Sequence, residues 1–292
     1  LFGYGSNRPL GYTSTPGLVS PNLTWETATT SNIGFNLAFL ENRLQFDLDI
    51  FGRNTDNMIG PSEPVPGVLG SSVPKSNNAS LRTRGWESSI KWNHNIRHSD
   101  FSYFVTFNLY DAKTVVTEYL NPTGLITDWY SGKEIGEIWG YTANELFKSQ
   151  EEVNAYLEKV DLSYIFSTWN PGDLKYEDTN GDDKVDVGAR SLDDHGDLSV
   201  IGNSTPRYQW GISAGLNYKN FDFSFLIKGT AKRDYFPEGA TSENYVFWGI
   251  RNWLFTALQS EHLDYFRDQP GDKYTGLHEG DANINLDAFW PR

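Results

Sequence analysis

The sequence predicts an all-β chain of antiparallel strands, the wall of a transmembrane β-barrel with long loops on one side. Three observations predict it. Period-two strands come in hairpins, the connections alternate between very short and very long, and the composition favours strands and turns. Of 292 residues, 15% are aromatic and 27 are Gly, against a single Met. Aromatic side chains suit a pleated surface, and Gly suits the turns that join it.

The first hairpin covers about residues 29–51. Ile33, Phe35, Leu37 and Phe39 alternate with Asn32, Gly34, Asn36 and Ala38. After a polar break at Glu41-Asn42-Arg43, Leu44, Phe46, Leu48 and Ile50 alternate with Gln45, Asp47 and Asp49. Strict alternation gives each strand one apolar face. Residues 52–78, with Pro61, Pro64, Pro66 and Pro74, read as a long loop. The second hairpin covers about 79–110. Trp86, Ser88, Ile90 and Trp92 share one parity, His94 to Ser99 turn the chain, and Phe101, Tyr103, Val105, Phe107 and Leu109 return. Residues 112–205 are mostly irregular. They contain one expected helix, capped within Thr142–Glu145 and presenting Leu146, Val153 and Leu157 on one face. The third hairpin, about 207–228, carries Tyr208, Trp210, Ile212, Ala214, Leu216 and Tyr218, turns at Asn217–Asn220, and returns with Phe221, Phe223, Phe225 and Ile227. Residues 229–292 read as another long loop, with a helical stretch near 245–266.

Short turns at one end and long loops at the other are the asymmetry of outer-membrane barrels. Strands of about ten residues suit a tilted crossing of the hydrocarbon. Trp86, Trp92, Tyr208 and Tyr218 lie near strand ends, where interfacial girdles sit. No run of about 18 apolar residues occurs, so no helix is expected to span a bilayer. The net charge of −14 argues against a nucleic-acid partner, because phosphate neutralisation needs Lys and Arg. Without cysteine there is no disulfide framework, thiolate metal site or Cys nucleophile. The chief alternative is a secreted, calcium-dependent carbohydrate-binding module built as a β-sandwich, which also produces alternation.

Several segments carry a family resemblance. Asn22-Leu23-Thr24-Trp25-Glu26 with Thr30-Ser31-Asn32-Ile33-Gly34 leads into the first strand, and Arg53-Asn54-Thr55-Asp56-Asn57-Met58-Ile59 leaves the second. Arg84-Gly85-Trp86-Glu87 and Ile138-Trp139-Gly140-Tyr141 follow. The most specific run is Pro171-Gly172-Asp173-Leu174-Lys175-Tyr176-Glu177-Asp178-Thr179-Asn180-Gly181-Asp182, leading to Val200-Ile201-Gly202-Asn203-Ser204-Thr205-Pro206-Arg207-Tyr208. In this order the segments resemble the C-terminal half of the barrel in SusC/RagA-type TonB-dependent outer-membrane transporters of Bacteroidetes. The resemblance covers essentially the whole chain and implies residues 1–292 to be part of one barrel domain of about 22 strands. On that reading the plug domain and the terminal strands lie outside the sequence. It also implies the outer membrane as location and glycans, oligosaccharides or oligopeptides as cargo. A SusD-like surface lipoprotein and TonB are the expected partners, with dimers of transporter–lipoprotein pairs as a further expectation. It implies transport, not catalysis, and no required cofactor.

One motif suggests structural calcium. Asp178, Asn180, Asp182 and Asp186 place oxygens at relative positions one, three, five and nine, and Lys184 offers its carbonyl at seven. Calcium takes six to eight such oxygens. Asp183 stands where the sharp turn wants Gly, and position twelve is Ala189, so Asp193 or Asp194 would have to complete the set. The competing reading is an Asx-rich turn held by its own hydrogen bonds. Trp129, Tyr130, Trp139, Tyr141 and Trp169 are expected in loops, where rings either stack on sugars or pack a loop core. Glu151-Glu152 and Asp193-Asp194 are sequence neighbours, which is poor support for a paired-carboxylate hydrolase. No substrate-binding residue is assigned.

Overall fold

The computed structural model describes residue 20, residues 23–61 and residues 74–234. Its frame is one antiparallel sheet. The strands are β1 (Thr27–Phe39), β2 (Leu44–Ile59), β3 (Asn77–Asn95), β4 (Phe101–Tyr119), β9 (Arg207–Tyr218) and β10 (Phe221–Lys232), hydrogen-bonded in the order β1-β2-β3-β4-β9-β10. Between β4 and β9 the chain leaves the sheet to build a separate small unit. That unit holds β5 (Glu137–Gly140), β6 (Ala143–Leu146), α1 (Gln150–Leu157), β7 (Leu174–Tyr176) and β8 (Ser199–Asn203), with β5 paired to β8 and β6 to β7.

The three expected hairpins are present, and each tight turn has its own backbone solution. Leu40, Glu41 and Asn42 all take left-handed φ (55°, 58° and 66°), and Lys219 does so between the paired Tyr218 and Phe221 (53°). Left-handed residues in tight turns suit the right-handed twist of the flanking strands. The strands outrun their expected ends. β2 continues to Ile59 and β4 to Tyr119, where the alternation predicts loop from 52 and 112. On β2 the extension is mostly polar, and on β4 Val115 and Val116 fall on opposite parities, so strict alternation is lost while the ladder continues. β3 likewise runs through His94 to Asn95, displacing the turn to Ile96–Asp100. The region expected from 229 onwards as loop begins instead as strand, through Lys232. The helix expected near 245–266 lies outside the described residues.

Register puts every apolar parity on one face. Phe39 is level with Leu44, Trp92, Val105, Ala214 and Phe225, and one step on, Leu37 is level with Phe46, Ile90, Phe107, Ile212 and Ile227. The opposite face carries Asn36, Asp47, Ser89, Asn108, Gly211 and Lys228 in one row. The apolar band is staggered. On β1 it ends at Phe39, but on β4 it runs four residues past the level residue, from Val105 to Phe101. A band that slips along successive strands is horizontal only when the strands tilt, as they do in a barrel.

No second sheet covers this band among the described residues. Phe35, Phe223, Phe225 and Ile227 are 53%, 59%, 44% and 50% exposed. A sandwich buries its apolar faces against each other, so the β-sandwich alternative does not describe this sheet. A lipid-facing wall leaves them open in this way.

That assignment has a direct test. Ile90→Lys, in the middle of the band, is expected to cost the full-length barrel about 2–4 kcal/mol if the face meets hydrocarbon. Ser89→Lys, on the other face, should cost little. Urea titrations in lipid, read by heat-modifiable gel mobility, compare the two; equal effects would contradict the facing.

Candidate ligand-facing surface and loop module

The polar face is the surface that can meet solute. Its central row runs Gly34, Asp49, Glu87, Tyr110, Gln209 and Thr230 across the sheet. From Asp49 to Thr230, together with Asp47, Ser89, Asn108, Gly211 and Lys228 of the neighbouring row, it lines a groove. Hydrogen-bond donors and acceptors dominate, and Asn36 Nδ2 donates to Asp47 Oδ1 at 2.5 Å.

Along with Leu226 and Phe104, a stacked aromatic pair interrupts this polarity. Phe51 of β2 and Tyr110 of β4 stack at 6.2 Å with ring planes 14° apart. They meet over Gly85 of β3, whose position would put an added Cβ 2.6 Å from Phe51 Cζ and 2.7 Å from Ala112 Cβ. The missing side chain is what lets two rings bridge a strand. The result is a flat aromatic slab beside Asp49 and Glu87, a surface suited to a sugar ring or a side-chain stack with hydrogen bonds at its edge. The sequence reading looked for such rings in loops and missed this pair. The available signal was an aromatic, Phe51, on the otherwise polar parity of Gln45, Asp47 and Asp49.

On the loop side the polar face is roofed by chain from the β4–β9 connection. Gly132 to Ile135 pair with the end of β4, through Val116 N–H to Lys133 O at 2.8 Å and Ile135 N–H to Thr114 O at 2.9 Å. Val116, Ala79 and Tyr119 form a small core there with Trp129 and Ile135. Lys133 is 9% exposed, and its ammonium donates to the carbonyls of Ile126 (2.7 Å) and Asp128 (2.9 Å). Burial lowers its pKa, opposed by the negative charges of Glu137 and Asp128. Tyr130 donates to Glu137 Oε2 at 2.5 Å, and burial together with that carboxylate raises the phenol's pKa.

The rest of the connection has its own core of Tyr141, Phe147, Val153, Leu162, Ile165, Trp169, Leu174, Tyr176, Val185 and Val187. The loop aromatics are therefore largely structural. Trp169 and Tyr141 are buried, Trp129 packs edge-on to Tyr119, and Trp139 lies 5.6 Å from the His195 ring. The one described helix is α1, and its cap is Ser149, not a residue of Thr142–Glu145. Ser149 Oγ accepts from Glu152 N–H at 3.3 Å, while Glu152 Oε2 accepts from Lys148 N–H at 2.9 Å. The Ser149-Gln150-Glu151-Glu152 spacing is the capping-box signature. Ala143–Leu146 instead pairs with Leu174–Tyr176 as strand.

The five residues expected to hold calcium fall in one turn. Asp178 accepts from the N–H groups of Gly181 (2.6 Å) and Asp183 (2.8 Å), Asn180 from Asp182 N–H (3.0 Å), and Asp182 from Lys184 N–H (3.2 Å). Asp186 accepts from Gly188 N–H (2.8 Å). The ammonium of Lys184 reaches Asp186 Oδ2 at 2.6 Å and Asp182 Oδ2 at 3.5 Å. That contact lowers the pKa of Asp186 and raises that of Lys184. Of the two carboxylates expected to complete the set, Asp194 accepts from Ala189 N–H through Oδ2 at 3.1 Å. Among the described residues, no three His, Cys, Asp or Glu side chains are gathered into one cluster. Sequence reasoning passed over Asp197. It is fully buried and ties both ends of the turn, accepting from Thr179 N–H (2.7 Å) and Asp186 N–H (2.9 Å).

These carboxylates set an acid limit. Glu152, Asp161 and Asp186 all have pKa values held below the ordinary range, Glu152 and Asp161 mainly by accepted hydrogen bonds and Asp186 mainly by Lys184. A carboxyl with a depressed folded-state pKa stabilises above its unfolded value and loses that contribution as pH falls through the folded one. Protection of residues 141–198 from limited proteolysis should hold from pH 7 to 5 and fall below about pH 4. Unchanged protection at pH 3 would contradict the assignment.

With this geometry in view, the chain was compared with known proteins. The family model "TonB dependent receptor-like, beta-barrel" matches residues 1–253. TonB-dependent receptor P39 of Formosa agariphila is 26% identical, covering 90% of this chain and 27% of the relative. TonB-dependent receptor P26 of the same organism is 30% identical over 72% of this chain and 21% of its own length. TonB-dependent receptor SusC of Bacteroides thetaiotaomicron is 24% identical over 94% and 24%. The chain thus spans about a quarter of the length of these relatives. Among solved structures, the RagAB peptide importer in its open-open state superposes with a TM-score of 0.50 at 18% identity, covering 77% of this chain and 23% of that one. The chain belongs to the TonB-dependent receptor-like β-barrel family.

Proposed function

We propose that the protein containing this chain lies in the outer membrane and imports oligosaccharides or oligopeptides in a TonB-dependent manner, as the SusC-like channel beneath a SusD-like surface lipoprotein. The observation that carries this reading is the two-sidedness of the sheet. One face is a continuous apolar band. The other is polar and holds the Phe51–Tyr110 slab beside Asp49 and Glu87. The packed module of residues 137–203 stands on the loop side, where a lid protein would dock. Its own core fits it to present a defined surface rather than a flexible tether.

The first experiment purifies the tagged full-length protein from outer-membrane detergent extract and identifies what accompanies it. A SusD-like lipoprotein in stable proportion is the expected result; a soluble, solitary protein would overturn the reading. Cargo is then assigned by growth of a deletion strain on glycan or on peptide as sole nutrient. The slab enters the same assay: Tyr110→Ala should lower uptake roughly ten-fold, about 1.4 kcal/mol, without altering barrel assembly. Unaltered uptake would remove the slab from the ligand path.

For the turn at 178–186, we infer that calcium and the Lys184 ammonium compete for the same carboxylates, because that ammonium already lies between Asp182 and Asp186. Replacing Lys184 with Met leaves the acidic groups without their internal cation. The calcium-dependent rise in Tm is therefore expected to be larger in Lys184→Met than in the parent, read against EDTA. Equal shifts would show that the ammonium does not occupy the cation's position.

A further inference from the structure

The apolar face does not stay apolar to its loop-side end. The row beyond Ile33, Ile50 and Trp86 is Ser31, Gly52, Arg84 and Lys113, and Arg82 stands in the row after that. These strands keep one register through this stretch, so the three cations share the face of the hydrocarbon band. At the same level Arg207 also joins this face. A left-handed Tyr208 (φ 51°) offsets its parity, and it forms a two-point ion pair with Asp111.

The charges here are unequal. Arg207 is held by Asp111, and Lys113 reaches Glu134 at 3.0 Å. Among the described residues, neither Arg82 nor Arg84 pairs with a carboxylate, and both are exposed. Four cations against two anions leave a local excess of positive charge, in a chain whose net charge is −14. Two arginines on the same face of one strand, two residues apart, also repel each other at roughly 7 Å. A guanidinium so close to a lipid-facing band is costly unless an anion meets it.

The surface between them is recessed. A Cβ at Gly52 would meet nothing within 4 Å. A depression opens there, with Ile33, Ile50 and Trp86 on its apolar side and Arg82, Arg84 and Lys113 on its cationic side. The shape matches an amphiphile with an anionic head and acyl chains. The fork of a guanidinium fits phosphate oxygens two at a time.

We propose that Arg82, Arg84 and Lys113 bind the phosphorylated headgroup of a lipid in the leaflet next to the loops, whose acyl chains lie on the band below. The inference rests on the membrane reading given under Proposed function, and commits to lipid because the cationic row is continuous with the hydrocarbon-facing surface. Lys113 contributes less than the arginines, since Glu134 already neutralises part of its charge.

The test uses the full-length barrel from outer membranes, exchanged into detergent and titrated with phosphorylated lipid A. Binding is followed by native mass spectrometry. Each of Arg82→Gln and Arg84→Gln is expected to weaken binding roughly five-fold, and the pair roughly thirty-fold. Lys91→Gln, on the polar face, should leave it unchanged. Lipid A stripped of its phosphates should bind parent and variant alike, and inorganic phosphate alone should bind neither measurably at the same concentration. Equal retention of phosphorylated lipid by parent and double variant would overturn the proposal. So would a polypeptide held in stable proportion through the same arginines. Membrane localisation and heat-modifiable folding of the same preparations report separately: their loss in the parent defeats the membrane reading, and their presence with equal lipid retention defeats only this inference.

Discussion

In hydrocarbon, a backbone N–H or C=O has no water to turn to, so every such group must be paired within the protein. The rest of the structure depends on that constraint. It makes the spanning elements strands joined in an unbroken ladder, and a ladder fixes side-chain direction by parity alone. One register shift by a single residue would exchange the faces of a whole strand, placing Asp47 and Asp49 where Phe46 and Leu48 now lie. The continuity of the apolar band over all six strands therefore reports that the registers are mutually consistent. The irregularities are confined to the loop side. They fall near Thr55–Met58 and Ser80–Leu81, outside the apolar rows, and Tyr208 lies just beyond Trp210. Bulges and bends are tolerated where water or loop chain can satisfy the displaced backbone.

Where the wall leaves hydrocarbon, a different kind of stabilisation takes over. The module between β4 and β9 is held by an aromatic and aliphatic core and by carboxylates that accept from backbone N–H groups. It is anchored to the wall in two ways. Backbone bonds extend the β4 ladder through Gly132–Ile135, and the Asp111–Arg207 pair ties the middle of β4 to the start of β9. That pair is nearly closed off, at 8% and 15% side-chain exposure. Removing one partner of such a pair strands the other charge, which costs far more than an exposed pair would. The position suits its role, because the chain travels through nearly a hundred residues between these two strands and must return in register.

The sheet was legible because alternation is a direct consequence of parity. Ile33 to Phe39, Leu44 to Ile50 and Phe221 to Ile227 could face one solvent only as strands. Strand ends are less legible: Gly52 to Ile59 is mostly polar, and from Asp111 to Tyr119 the loop core takes Val116 and Tyr119 while Val115 lies on the other face, so no strict alternation marks the continuing ladder. The helix falls in the expected stretch with Val153 inward, but it is capped by Ser149 and not by the Thr142–Glu145 segment. Thr142–Glu145 and Ser149–Glu152 both offer cap-like residues, and what separates them is long-range: Ala143–Leu146 finds a β partner in Leu174–Tyr176, thirty residues away. The Asx-rich turn is legible from spacing, but the position of the Lys184 ammonium is not: the motif uses that residue only for its carbonyl, while in three dimensions its side chain reaches Asp182 and Asp186. Asp197 was invisible for a related reason: its value comes from burial behind the turn, and nothing local in His195-Gly196-Asp197 announces that.

Two of the departures from the parity rule each sit beside a glycine. A polar face rarely gains from a buried-type ring, yet Phe51 and Tyr110 stack there, and Gly85 between them has given up its side chain to allow it. A lipid-side face rarely gains from a guanidinium, yet Arg82 and Arg84 stand there, and Gly52 beside them leaves the surface open. In each case a residue of the wrong polarity sits next to a glycine in the middle of a strand, where glycine weakens a sheet and is kept for close approach of another group. Neither exception helps the ladder, the band or the loop core. A wall whose only task was to separate lipid from water would have no use for them. On the readings proposed above, solute meets the first and a charged headgroup the second.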